Sequence, residues 1–233
     1  MTSPLSKFIP TFLVYLVTAV VITCSIVYDE LYIHDTEKKY TFAGKWQFLT
    51  HWTLYIEAFY WWTVVLAGLS NRCYVQRNGL LHRIVDYLHA SVAFPIGMMV
   101  CIMFWTLYGI DRELVYPKRL DAIIPTWLNH VMHTIYVPCL ALDKYLVLHR
   151  YPKSSDGLLL CLVIPFFYQV WVMYLALQHQ VWVYPVLAVL DWPAKIAFFL
   201  ANWVLFVIVY KAGEALTNKI WGRKPVRAGR KDN

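Results

Sequence analysis

The sequence predicts an all-α polytopic membrane protein: a six-helix transmembrane bundle with both termini in the cytoplasm. Three observations predict this class. Of the 233 residues, 60% are apolar and only 15% are charged, where a soluble domain carries about a quarter charged residues. The mean hydropathy is +0.49. Six apolar runs each approach or exceed the roughly 20 residues needed to cross hydrocarbon. The net charge of +7 does not point to nucleic acid, because the basic residues are spread over short loops and the C-terminal end. With the N-terminus inside, the inner side carries twice as many lysines and arginines as the outer side, as the positive-inside rule requires.

The expected spans are residues 8–28, 46–69, 87–110, 123–148, 158–177 and 194–211, within a single domain of residues 1–233. The first follows Lys7 as a signal peptide would. It is longer than a signal core and no small-residue cleavage site follows, so it reads as a retained helix. The second carries Thr50, Thr53 and Glu57 on one helical face. The third and sixth are apolar, and so is the fifth, with His89 and His179 near span ends. The fourth reads I-I-P-T-W-L-N-H-V-M-H-T from Ile123 to Thr134, with two imidazoles and an amide inside a run otherwise fit for lipid. Asp143 and Lys144 fall near its inner end, where snorkelling accounts for them. Residues 222–233 form a basic tail suited to anionic headgroups. Acidic clusters at Asp29/Glu30 with Asp35/Glu37, and at Asp111/Glu113 with Asp121, fall on outer loops. Five cysteines with no C-x-x-C spacing read as reduced packing residues.

Polar groups in a membrane helix are costly unless partnered, so their clustering marks a working site. Taking residues 123–148 as one helix, Thr126, Asn129, His130, His133 and Tyr136 share a stripe about 120° wide. His133 lies ten residues past Ile123, about 15 Å into the membrane. The second span runs in the same direction, and Thr50 falls in its outer half. A hydroxyl facing an imidazole is the minimum pair for nucleophilic catalysis. Bland readings stand beside it. A membrane threonine commonly bonds back to the carbonyl one turn earlier, and Glu57 either orients an imidazole or bridges helices. His130-x-x-His133 also offers two metal ligands. A bis-histidine haem for electron transfer would draw on His51, His89 or His179. A transporter path lined by the stripe is a third class of function. The absence of a G-x-S-x-G elbow and of a Gly-rich phosphate loop excludes a standard α/β-hydrolase or nucleotide enzyme.

Several blocks carry a family resemblance over nearly the whole chain. They are G-K-W-Q-F-L-T (Gly44–Thr50), A-F-P-I-G (Ala93–Gly97), D-R-E-L-V-Y-P-K (Asp111–Lys118), L-D-A-I-I-P-T-W-L-N-H-V-M-H-T (Leu120–Thr134), Y-P-K-S-S-D-G-L (Tyr151–Leu158), W-V-Y-P (Trp182–Pro185) and G-E-A-L-T-N-K-I-W (Gly213–Trp221). In order and spacing they resemble the androgen-induced-gene-1 / androgen-dependent TFPI-regulating protein family of six-helix membrane proteins. The resemblance implies an atypical threonine hydrolase of fatty acid esters of hydroxy fatty acids. It implies Thr50 as nucleophile and His133 as general base, where the helical faces alone left Thr53 and His130 open. It also implies the cell membrane, with the endoplasmic reticulum as the alternative, a lipid substrate, and no cofactor or metal. Asn129 and His130 are then expected as supporting residues, Asn129 as an oxyanion donor. Glu57 departs from the family, whose members tend to carry a neutral amide there.

Overall fold

The computed structural model describes residues 4–33, 42–71 and 79–222, and among these the chain is helical with no strand. Helix α1 (Pro4–Tyr32) is followed by a 3-10 turn at Gly44–Gln47 and by α2 (Leu49–Asn71). Helix α3 (Leu80–Leu88) passes through a π-helical turn (His89–Ala93) into α4 (Phe94–Asp111), making one long rod. Two 3-10 turns, Arg112–Leu114 and Lys118–Ala122, lead into α5 (Thr126–His133) and α6 (Tyr136–Leu146). Helix α7 (Ser154–Gln178), a short α8 (Pro185–Val189) and α9 (Trp192–Trp221) complete the chain. Asp35 and Glu37 of the outer acidic cluster, one of the five cysteines (Cys73) and the basic tail from Arg223 onward lie outside the described residues.

Four helical stretches are long and apolar enough to cross a membrane: Phe8–Tyr32, Leu80–Leu114, Ser154–Gln178 and Trp192–Trp221. They make the chain an integral membrane protein. Their outward faces are apolar at helical spacing, with Leu200, Val204 and Ile208 on α9 and Leu13 and Val17 on α1 all exposed. Such faces suit lipid. The second predicted span, α2, has 23 residues, but it carries His51 and Glu57 and draws its apolar character largely from Trp and Tyr, so it falls outside that group. The third predicted span starts at Leu80 rather than Tyr87, and the π-helical turn widens it ahead of Pro95. That proline has no N–H for the Ser91 carbonyl, and a widened turn accommodates its ring.

The fourth predicted span is two helices, not one. The break falls at Thr134 and Ile135, ahead of Pro138. Pro138 cannot donate to the Thr134 carbonyl, which instead accepts the Val137 N–H at 3.2 Å. The His133 carbonyl, freed by this tightening, accepts the Trp105 indole N–H at 3.0 Å. Helical phase therefore does not carry from α5 to Tyr136, which is fully buried on its own account. The core has three parts. The largest joins α1, α2, α4 and α6 around Tyr15, Trp61, Phe94 and Tyr136. A second lies around Met99, Tyr151 and Phe206. The third, around Tyr168, Val172 and Leu187, packs the α7 side against the start of α2.

Candidate active site

Thr50 is the second residue of α2, directly after the 3-10 turn. Most described hydroxyls on the membrane helices bond back one turn. Thr18 donates to Val14 O at 2.9 Å, Thr63 to Phe59 O at 2.7 Å and Thr53 to Leu49 O at 2.9 Å. Thr50 has no helical carbonyl one turn behind it, because Phe48 is extended (φ −96°, ψ 132°) and α2 does not run back to Trp46. The Trp46 carbonyl instead accepts two indole N–H groups, from Trp52 at 2.8 Å and Trp171 at 3.0 Å. The turn around it is further held by Tyr168, which donates to Gln47 O at 2.9 Å, and by the Leu49 N–H, which donates to the Tyr184 hydroxyl at 3.1 Å. The Thr50 hydroxyl is left to point across to α5, where its Oγ lies 3.2 Å from His133 Nε2.

His133 closes α5 and is buried. Its Nδ1 lies 2.9 Å from the Asn129 carbonyl oxygen. A carbonyl only accepts, so Nδ1 carries the proton, and in the neutral ring Nε2 is then a bare acceptor. Hydrogen placement follows from these partners: Thr50 donates and His133 accepts. Phe104 of α4 stacks on the imidazole at 3.6 Å with an interplanar angle of 17°. Its neighbour Trp105 donates to the His133 carbonyl and reaches Thr134 Oγ at 3.2 Å. A hydroxyl, an acceptor nitrogen and an orienting carbonyl stand in line, the geometry that general-base activation of a hydroxyl requires.

The predicted stripe on α5 divides. Asn129 and His133 are buried, while Thr126 and His130 are exposed. Asn129 acts on His133 through its backbone carbonyl. Its side-chain Oδ1 is buried with no partner among the described residues. His130 stacks on Trp105 at 5.7 Å and lies 3.1 Å from Thr134 Oγ, so it braces the helix break and does not join Thr50. Glu57 does not orient an imidazole. It is fully buried, accepts from Trp61 Nε1 at 3.1 Å and presses against Gly97, bridging α2 to α4. The three haem candidates have separate surroundings: His51 sits by Asp29 and Glu30, His89 by Asp143, and His179 stacks on Phe42 at 4.2 Å. Asp143 and Lys144, expected to snorkel, are fully buried instead, because α6 ends inside the bundle. Trp46, Trp105, Trp171 and Phe104 carry the positioning and were not singled out in sequence. Their spacing resembles that of any lipid-facing aromatic.

A cavity of about 110 Å³ opens beside Thr50. Its walls come from α2, α4, α7, α9 and the segment through Tyr184 and Leu187, and its lining is overwhelmingly apolar. Met99, Phe104, Leu107, Leu187 and Phe206 are among its lining residues. Met99 precedes Phe104 by five residues on α4, about 7.5 Å along the axis.

Helical membrane architecture, a hydroxyl–imidazole contact and an apolar cavity at its side define a polytopic membrane protein with a candidate site inside its helices. Residues 10–218 match the model of the FAR-17a/AIG1-like protein family, and the chain belongs to that family. It is 36% identical over 189 residues to the androgen-induced gene 1 protein of Homo sapiens, covering 78% of this chain and 79% of that one. It is 32% identical over 181 residues to the human androgen-dependent TFPI-regulating protein, covering 77% and 79%. With that protein's Rattus norvegicus counterpart the identity is 34% over 191 residues, covering 81% and 83%. No solved structure matches the chain.

Proposed function

We propose that this protein is a membrane-embedded threonine hydrolase that cleaves fatty acid esters of hydroxy fatty acids into a fatty acid and a hydroxy fatty acid. The observation that carries the reading is the 3.2 Å contact between Thr50 Oγ and His133 Nε2, with Nδ1 committed to the Asn129 carbonyl. As the Thr50 oxygen attacks the ester carbonyl, its proton passes to Nε2. The imidazolium then protonates the departing alkoxide, which leaves as the hydroxy fatty acid. Water, deprotonated by the same nitrogen, hydrolyses the acyl-threonine and releases the fatty acid. The Asn129 amide supplies a donor to the oxyanion, a contribution typically worth about a hundredfold or more in rate. The acyl chain lies in the cavity beside Thr50, and the substrate carboxylate rests at the outer headgroup level near Lys118 and Arg119. Lys45 is less suited to that role, being paired with Asp29 at 3.0 Å.

The same reading places the chain in the cell membrane, with six spans and both termini on the cytoplasmic side. The test is a lipid ester hydrolysis assay on purified wild type beside Thr50→Ala and His133→Ala, with fluorophosphonate labelling alongside. Wild type hydrolyses the ester and labels, and Thr50→Ala does neither. Labelling or turnover that survives Thr50→Ala sinks the proposal.

A further inference from the structure

We infer that His89, Asp143 and His149 form a second site, remote in role from Thr50, that binds a divalent first-row transition ion such as zinc or iron(II). The three residues come from separate segments: the start of the π-helical turn, the end of α6, and the extended chain after it. All are buried to within 1% exposure. Each offers one ligand atom, and these atoms lie within 4.8 Å of one another. His89 Nδ1 is 3.0 Å from Asp143 Oδ2, and His149 Nε2 is 3.1 Å from Asp143 Oδ1. An ion with tetrahedral bonds of about 2.0–2.1 Å holds its ligand atoms roughly 3.4 Å apart, and atoms gathered within 4.8 Å can close on one ion by small side-chain shifts. Two imidazoles and a carboxylate are a donor set for zinc or non-haem iron(II).

The surroundings fit the same use. Asp86 Oδ1 lies 3.3 Å from the other nitrogen of His149, so a buried carboxylate stands behind that ring. The Tyr15 hydroxyl holds Asp143 at 2.6 Å. The Tyr60 hydroxyl reaches both Asp143 and His89 Nδ1, and its oxygen is a ready fourth ligand. The two imidazoles stack nearly parallel, 3.8 Å apart at 5°. A shared ion therefore requires one ring to turn about its Cβ–Cγ bond, a broad torsion for histidine. A π-helical turn at the first ligand is a feature that recurs at functional sites.

The test is elemental analysis of the full chain, purified in detergent without chelators. Wild type and Thr50→Ala should each carry about one zinc or iron per chain, and His89→Gln and His149→Gln should carry a tenth of that or less. A folded, monodisperse variant that keeps its metal overturns the inference. So does a wild type that is isolated metal-free and takes up neither Zn²⁺ nor Co²⁺ at micromolar concentration. If both variants fail to fold, Co²⁺ loading of wild type decides. Visible d–d bands of a nitrogen-ligated tetrahedral ion support the site, and their absence overturns it.

Discussion

Replacing Gly97 by alanine probes the contact that sets α2 against α4. A Cβ at Gly97 meets Glu57 Oε1 at 2.8 Å, Leu140 Cδ1 at 2.9 Å and Tyr136 Cβ at 3.2 Å. None of these neighbours yields easily. Glu57 is fully buried and held by the Trp61 indole, and Tyr136 and Leu140 are fully buried on α6. The added methyl must push α4 from α2 and α6 by several tenths of an ångström. Overpacking of this kind costs about 1–3 kcal/mol. At about 2–4 °C per kcal/mol for a chain of this length, the melting temperature falls by roughly 2–12 °C. Gly109, on the same helix, has nothing within 4 Å of its Cβ position. There alanine gains up to about 1 kcal/mol of helix propensity, so its melting temperature holds or rises. The two substitutions on one helix thus have opposite signs. Because α4 also carries Phe104 and Trp105 against His133, Gly97→Ala should slow ester hydrolysis as well, and Glu57→Ala should partly rescue it by opening space. Thermal unfolding in detergent with a thiol-reactive dye reads the stability. A Gly97→Ala protein as stable as wild type, or a Gly109→Ala protein that falls equally, refutes this account of the helix contact.

Other expectations follow from the same geometry. Thr53→Ala removes a back-bonded hydroxyl and should cost at most about 1 kcal/mol, with hydrolysis at wild-type rate, while Thr50→Ala abolishes turnover at unchanged melting temperature; side-by-side assays separate the two threonines. His133→Ala should lower turnover by about a hundred- to ten-thousandfold, measured as single-turnover release of hydroxy fatty acid. Trp105→Phe keeps the aromatic packing but removes the donor to the His133 carbonyl, so it should lower stability by about 1 kcal/mol and reduce kcat more than it changes KM. Lys144→Met leaves Tyr151 and the Gly213 carbonyl without their ammonium partner deep in the bundle, and should destabilise by about 2 kcal/mol or more, read as a lower melting temperature and poorer yield.

The helical class was legible because it rests on composition and run length, which the membrane fixes through a single dimension. The break in the fourth span was less so. Pro138 is visible in the sequence, but prolines also sit inside α1 and α7 without ending them, at Pro10 and Pro165. What decides the outcome at Pro138 is a tertiary donor, Trp105, waiting for the carbonyl that the break releases. The buried Asp143 and Lys144 were misplaced for a related reason. A charge near the end of a predicted span reads as snorkelling when the span is straight. Once α6 is a separate short helix, the same residues end inside the bundle, against His89 and His149 on one side and Tyr151 and Thr217 on the other.

The candidate nucleophile shows why a polar face alone does not select a residue. Thr50 and Thr53 share one face and one chemistry, and the difference between them lies in the backbone one turn behind them. Leu49 O is open to Thr53, so that hydroxyl is spent locally. Behind Thr50 the chain leaves the helix at extended Phe48, in a turn held by the Trp52 and Trp171 indoles on the Trp46 carbonyl, so the Thr50 hydroxyl has no helical acceptor and finds the imidazole across the helix gap. Trp171 comes from 125 positions away in the chain, which puts this switch beyond any local pattern. It also makes a sharp demand. If the two indoles on the Trp46 carbonyl hold the turn that aims Thr50, Trp171→Phe with Trp52→Phe should loosen that turn and let the hydroxyl leave His133. Hydrolysis should then fall by at least about tenfold while Thr50 and His133 both remain. A double variant with wild-type turnover shows that the Thr50–His133 contact alone sets the site.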